Sequence, residues 1–114
     1  MNIENYRDYC LSLPFVQESF PFDNKTLVFT VGEKIFSLSN IDLFESVNLK
    51  CDPEKALELR EEYPNEIQPG YHMNKKHWNT VSSQLDDSLL KQLTQDSYRL
   101  VFKGLTKKVK ESLD

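Results

Sequence analysis

The sequence predicts an α+β fold, and three observations carry that prediction. A helical period opens the chain at Ile3, Tyr6, Cys10 and Leu13, two alternating segments surround Gly32-Glu33, and a long amphipathic pattern runs from Leu89 to Val101. Steps of three and four keep side chains on one face of a helix, while steps of two keep them on one face of a strand. Helix, sheet and helix therefore follow one another along the chain. Its 114 residues, 39% hydrophobic and 28% charged, suit a compact globular unit, and residues 1–114 are expected to form a single domain.

The first helix starts at Asn2, a residue that can cap it, and is expected to end near Ser12. Pro14 disfavours helical geometry at Leu13 and has no backbone N–H to donate. Phe15 to Asp23, with Pro21 between Phe20 and Phe22, reads as an extended connector or edge strand whose aromatic side chains plug the core.

Thr26 to Val31 and Lys34 to Ser39 flank Gly32-Glu33, a Gly-X pair suited to a type II′ turn. If Val31 pairs with Lys34, Phe29 falls opposite Phe36 and Leu27 opposite Leu38, which places all four on one buried face. Asn40 to Glu45 forms a longer turn before a third strand at Ser46 to Cys51, with Val47, Leu49 and Cys51 inward and Ser46, Asn48 and Lys50 outward. Asp52-Pro53-Glu54 then starts a helix: Asp52 caps, Pro53 fits the first position, and Glu54 complements the positive end of the helix dipole. Ala56, Leu59 and Tyr63 give its buried stripe, and Pro64-Asn65 stops it.

His77 to Ser82 alternates like a strand. Leu85 and Leu90 bracket an N-cap at Asp86 at the spacing of a hydrophobic staple, and Leu89, Leu93, Leu100 and Val101 continue the long helix. Gly104 is expected to break it, with Thr106 capping a short last helix through Val109 and Leu113.

Charge and composition exclude several function classes. The net charge of −4 argues against broad, non-specific affinity for nucleic acid, but the charge is uneven. Residues 1–66 carry 13 acids against 6 bases, and residues 67–114 carry 5 acids against 8 bases. An anionic partner is expected at the C-terminal part. The apolar runs are far short of the roughly 20 residues that span a bilayer. The N-terminus has neither a basic nor an apolar leader region, so a cytoplasmic protein without a membrane partner is expected. Cys10 and Cys51 lack paired spacing and read as small buried thiols.

The candidate site is Pro69 to Val81. This stretch holds both histidines, the only tryptophan and two lysines, and it contains no acid. Its candidate binding residues are Tyr71, His72, Asn74, Lys75, Lys76, His77, Trp78 and Asn79. His72 and His77 are five apart and separated by two lysines, which matches no standard ligand spacing, so neither metal nor cofactor is expected. The histidines can instead donate hydrogen bonds, fix a turn or gain charge near an anion. Trp78 and Tyr71 suit stacking on a base or planar ligand, although an isolated Trp beside an alternating strand also suits the core. No Gly-rich phosphate loop, nucleophile elbow or acid pair occurs, so nothing points to catalysis. Arg99, Lys103, Lys107, Lys108 and Lys110 form a second basic run, which reads either as a solvated helix face or as part of one positive surface with the central stretch.

Phe20-Pro21-Phe22-Asp23 with Thr26-Leu27-Val28-Phe29, then Leu49-Lys50-Cys51-Asp52-Pro53, then Pro69 through Asn79, together resemble the signatures of the MmcQ/YjbR family of small bacterial proteins. The resemblance spans nearly the whole chain, with Thr106 standing where the family often has Pro. It implies a frataxin-like (CyaY-like) sandwich, an antiparallel sheet with helices packed on one face, and a double-wing mode of DNA binding with a regulatory role. The iron role of frataxins does not carry over, because the first helix offers only Glu4 and Asp8 in place of an acidic ridge. Two functions follow as expectations: a DNA-binding protein, with the lysines on phosphates, or a protein-interaction or small-anion-binding module that uses the same stretch without catalysis.

Overall fold

A computed structural model of the protein describes residues 1–113. Its elements are α1 (Ile3–Ser12), β1 (Val16–Ser19), β2 (Thr26–Val31), β3 (Lys34–Asn40), β4 (Ser46–Lys50), α2 (Pro53–Glu62), β5 (Ile67–Pro69), β6 (Trp78–Ser82), α3 (Asp87–Lys103) and α4 (Lys107–Ser112). The six strands form one antiparallel sheet in the order β1-β2-β3-β4-β6-β5. The fold is α+β, and Tyr6 and Cys10 of α1, Leu59 of α2, and Leu90, Leu93 and Val101 of α3 pack against Phe29, Val47, Ile67 and Val81 of the sheet.

Caps and breaks follow the sequence closely. Asn2, Asp86 and Thr106 each accept a hydrogen bond from the backbone N–H three residues on, and Leu13 is extended ahead of Pro14. Asp52 departs from expectation: it precedes α2, but its side chain makes no capping bond. The short strand β5, which the sequence reading lacks, pairs with β6 as the chain leaves α2.

The hairpin register differs from the sequence expectation. Val31 pairs with Lys34 and Thr30 with Ile35, but a bulge follows, and Phe29 lies opposite Ser37, Leu27 opposite Ser39 and Val28 opposite Leu38. One extra residue reverses the face of everything beyond it. Phe36 stays in the core, 6.4 Å from Phe29 between ring centroids, while Leu38 moves to the helix-free face. Gly32 and Glu33 both have positive φ, 56° and 66°, so the turn is type I′ instead of II′.

α3 compensates for the bulge. The pairing of β3 with β4 begins at Ser37 and Leu49, which leaves the Phe36 carbonyl and the Lys50 amide outside the ladder. Ser97 Oγ donates to the former at 2.6 Å and accepts from the latter at 2.8 Å. A buried relay adds to this docking: Thr94 donates to the Leu90 carbonyl at 2.8 Å, so it accepts from Tyr6, whose hydroxyl in turn accepts from Ser37 at 2.8 Å.

Of the connector and edge-strand readings of this segment, β1 is an edge strand, but its flanking aromatics do not plug the core. Phe15, Phe20 and Phe22 are all exposed. Arg7 of α1 instead holds the strand through a two-point ion pair with Glu18, at 2.6 and 2.5 Å.

Candidate functional site

The stretch after β5 leaves the sheet at Gly70 and returns at Trp78. A Cβ on Gly70 would lie 2.8 Å from Trp78 Cβ and 2.9 Å from the Trp78 carbonyl, so only glycine lets the two ends of the loop approach this closely. The Gly70 amide donates to that same carbonyl at 2.8 Å. Inside the loop, Asn74 makes a turn: its side chain accepts from the Lys76 amide at 3.0 Å and its carbonyl accepts from the His77 and Trp78 amides. His72 takes the left-handed conformation at φ 60°, and its ring lies 4.0 Å from that of Tyr71.

Arg60 of α2 fixes the loop from the helix side. Its Nε donates to Asn79 Oδ1 at 2.7 Å, and its guanidinium also reaches the Lys75 and Trp78 carbonyls. The His77 carbonyl accepts from the Cys51 amide at 2.7 Å. These contacts engage the loop's main chain, and the side chains of Tyr71, His72, Asn74, Lys75 and Lys76 remain exposed. His77 and Trp78 are half-buried.

Asn79 is different. The sequence groups it with the binding residues, but the pairing of Leu49 with Asn79 turns its side chain toward the helices, where it is 2% exposed. It supports the loop from inside through Arg60.

Two hollows adjoin the loop. The first, about 490 Å³, lies on the helix-free face of the sheet, between Phe22 and Leu43 on one side and Tyr71, His72 and Met73 on the other, with Ile35, Leu38 and Asn48 in its floor. The Tyr71 amide donates to Thr80 Oγ1 at 3.0 Å, which draws the loop across this face. The second, about 500 Å³, lies at the sheet end beside Trp78 and brings in Lys34, Lys50, Glu33 and Gly104. Ile35 borders both. Lys34 and Lys50 border the loop's hollow beside Trp78, a proximity that sequence reasoning missed because each sits singly among alternating strand residues. The place of Phe22 beside the first hollow was missed for the opposite reason: its hydrophobicity pointed to the core.

The second basic run divides. Arg99 and Lys103 flank Cys51 together with Lys55, Asp52 and Asp96, at the end where the His77 carbonyl is held. Lys107, Lys108 and Lys110 belong to α4, whose Val109 approaches the Gly32 turn.

The thiols carry no sign of activation. Burial pushes Cys10 up to about 12. Burial, aided by Asp52, pushes Cys51 up to about 11. Cys51 is half-buried instead of fully buried. Among the described residues, no cluster of three or more His, Cys, Asp or Glu could hold a metal.

The sequence comparison settles the family. A YjbR family model matches residues 11–100. The chain belongs to the YjbR family. It is 44% identical to the uncharacterized protein YbdF of Escherichia coli O157:H7 over 92% of this chain and 88% of that protein. It is 31% identical to the uncharacterized protein YjbR of Escherichia coli K12 over 87% of this chain and 86% of the relative. A crystal structure of a Deinococcus radiodurans protein with a DUF419 domain superposes with a TM-score of 0.90 at 42% identity, covering 98% of this chain and 87% of that one. A Pseudomonas syringae protein superposes with a TM-score of 0.75 at 26% identity, covering 89% and 99%.

Proposed function

We propose that this YjbR-family chain is a cytoplasmic, single-domain, non-catalytic DNA-binding protein that acts in regulation, and that the loop from Tyr71 to Trp78 is its contact surface. One observation carries the reading: the loop's main chain is held by Gly70, Asn74 and Arg60, while Lys75, Lys76, Tyr71 and His72 stay exposed. A fixed backbone with free cationic and aromatic side chains suits phosphate contacts with little loss of order on binding. On this reading Lys75 and Lys76 meet phosphates, Lys34 and Lys50 extend the positive surface past Trp78, and Asn74, His77 and Trp78 meet sugar or base edges. Asn79 acts only by holding the loop. The six-stranded sheet with helices on one face supports the frataxin-like framework, with the loop as one of its wings. No described helix is long and apolar enough to cross a membrane.

A titration against duplex DNA, single-stranded DNA and RNA at two salt concentrations tests the proposal. Binding that falls steeply as salt rises supports it, and the absence of binding to all three overturns it. A second reading, a small-ligand or protein-interaction module, is favoured by the cleft between Phe22 and Tyr71, which no lysine or arginine lines. It predicts affinity that is nearly indifferent to salt.

A further inference from the structure

The helix-free face of the sheet is mostly polar, but Val28, Ile35 and Leu38 make an apolar strip within it. Val28 and Leu38 are fully or nearly fully buried there without any helix over them, and the cleft of about 490 Å³ opens beside Leu38. Its size is that of a small-molecule site. Phe22 and Tyr71, 64% and 70% exposed, stand at its two rims. These are flat apolar surfaces of the kind on which a ring stacks.

The Asn48 side chain in the floor keeps a donor open. The Tyr71 amide donates to Thr80 Oγ1 at 3.0 Å, so the Thr80 hydroxyl gives its own proton to Asn48 Oδ1 at 2.6 Å. That orientation leaves the Asn48 side-chain NH₂ on the cleft side without a protein partner among the described residues. A bound ring is therefore expected to present an acceptor, a ring nitrogen or a carbonyl.

Charge narrows the ligand further. No Lys or Arg lines the cleft, and Glu45 is on its wall, so a phosphate is disfavoured inside. Past Ile35 the neighbouring hollow holds Lys34 and Lys50, and the loop that supplies Tyr71 also carries Lys75 and Lys76. The complementary molecule has an uncharged flat ring with a hydrogen-bond acceptor and an anionic group attached at one side. We propose that the cleft receives one unstacked nucleotide of a single-stranded nucleic acid, with its base between Phe22 and Tyr71, an acceptor on Asn48, and its phosphates toward the lysines. This rests on the nucleic-acid reading above and adds the strandedness and the base site.

The test is ¹H–¹⁵N NMR on the whole chain, titrated separately with a short oligodeoxyadenylate, a duplex of matched length, adenosine monophosphate and inorganic phosphate. The expected result is a shift of the Asn48 side-chain amide and the Tyr71 amide with the single strand but not with the duplex or with phosphate. Tyr71→Ala and Asn48→Asp should each weaken the single strand by roughly tenfold or more, as the loss of one base-stacking or base-pairing contact does. The exposed Tyr71 keeps the test informative if the Asn48 variant fails to fold. Shifts confined to Lys75 and Lys76 would overturn the base site while leaving the phosphate contacts in place. Equal movement of Asn48 with duplex, or movement with the mononucleotide alone, would overturn the single-strand assignment. No shift with any probe would overturn the site and the nucleic-acid reading together.

Discussion

Arg60 Nε donates to Asn79 Oδ1 at 2.7 Å, and through this contact helix α2 holds the base of the candidate binding loop. The acceptor is buried and the donor is ionised, so the bond is of the stronger kind. Arg60→Met should leave Asn79 unsatisfied and cost about 1–3 kcal/mol. In a double-mutant cycle with Asn79→Ala, the two losses should fall short of additive, because each single change already breaks the contact. Urea denaturation of the four proteins measures the coupling, and strictly additive losses would show that the pair contributes nothing jointly.

Ser97 offers a second, independent check, on the fold itself. Its hydroxyl serves the Phe36 carbonyl and the Lys50 amide, which the bulge leaves outside the ladder. Ser97→Ala should destabilise the protein by about 1–3 kcal/mol for each group that finds no water, a large effect for the loss of one oxygen. A change below about 0.5 kcal/mol would mean that the bulge is not supported from α3.

The glycines should separate in sign. Gly104 has φ −79° and ψ −7°, and a Cβ there would meet nothing closer than 3.5 Å. Gly104→Ala should therefore stabilise by about 0.4–1 kcal/mol through the unfolded chain. Gly70→Ala forces a Cβ against Trp78 and should destabilise by about 1–3 kcal/mol. Melting temperatures of the two variants decide it, and a shift in the same direction would contradict the geometry of the loop base.

Much of the fold was legible because local signals agreed with one another. Asn2, Asp86 and Thr106 are capping residues placed just ahead of periodic apolar positions, and each caps its helix. The bulge was not legible, because Phe36 and Leu38 alternate with Ser37 and Ser39, and small serines fit a core row as well as a surface row once α1 supplies the Tyr6 hydroxyl. The candidate loop is one contiguous stretch and so could be proposed from sequence, whereas the inward turn of Asn79 and the arrival of Lys34 and Lys50 depend on strand pairing across distant segments.

Thiol chemistry gives a prediction with a worked sign. Burial holds Cys10 protonated up to about 12 in the folded state, while an unfolded cysteine ionises near about 8.5. A folded pKa above the unfolded one for an acid means that stability is lost as pH rises from about 8.5 toward the folded value. The attacking species is the thiolate, so Ellman's reagent at mildly alkaline pH should label half-buried Cys51 slowly and Cys10 more slowly still, with both reacting rapidly in denaturant. Rapid labelling of Cys10 in the native protein would contradict its burial.

The most direct measurement of the central claim is the salt dependence of DNA binding by the double variant Lys75→Ala, Lys76→Ala. Both side chains are exposed, so folding should change by no more than about 0.5 kcal/mol for each. If these lysines neutralise phosphates, binding weakens for every sequence tested and the slope of log K against log salt flattens by up to about two units, close to one per lost contact. A folded double variant that binds with the parent's affinity and the parent's salt slope would contradict the assignment of this loop to DNA.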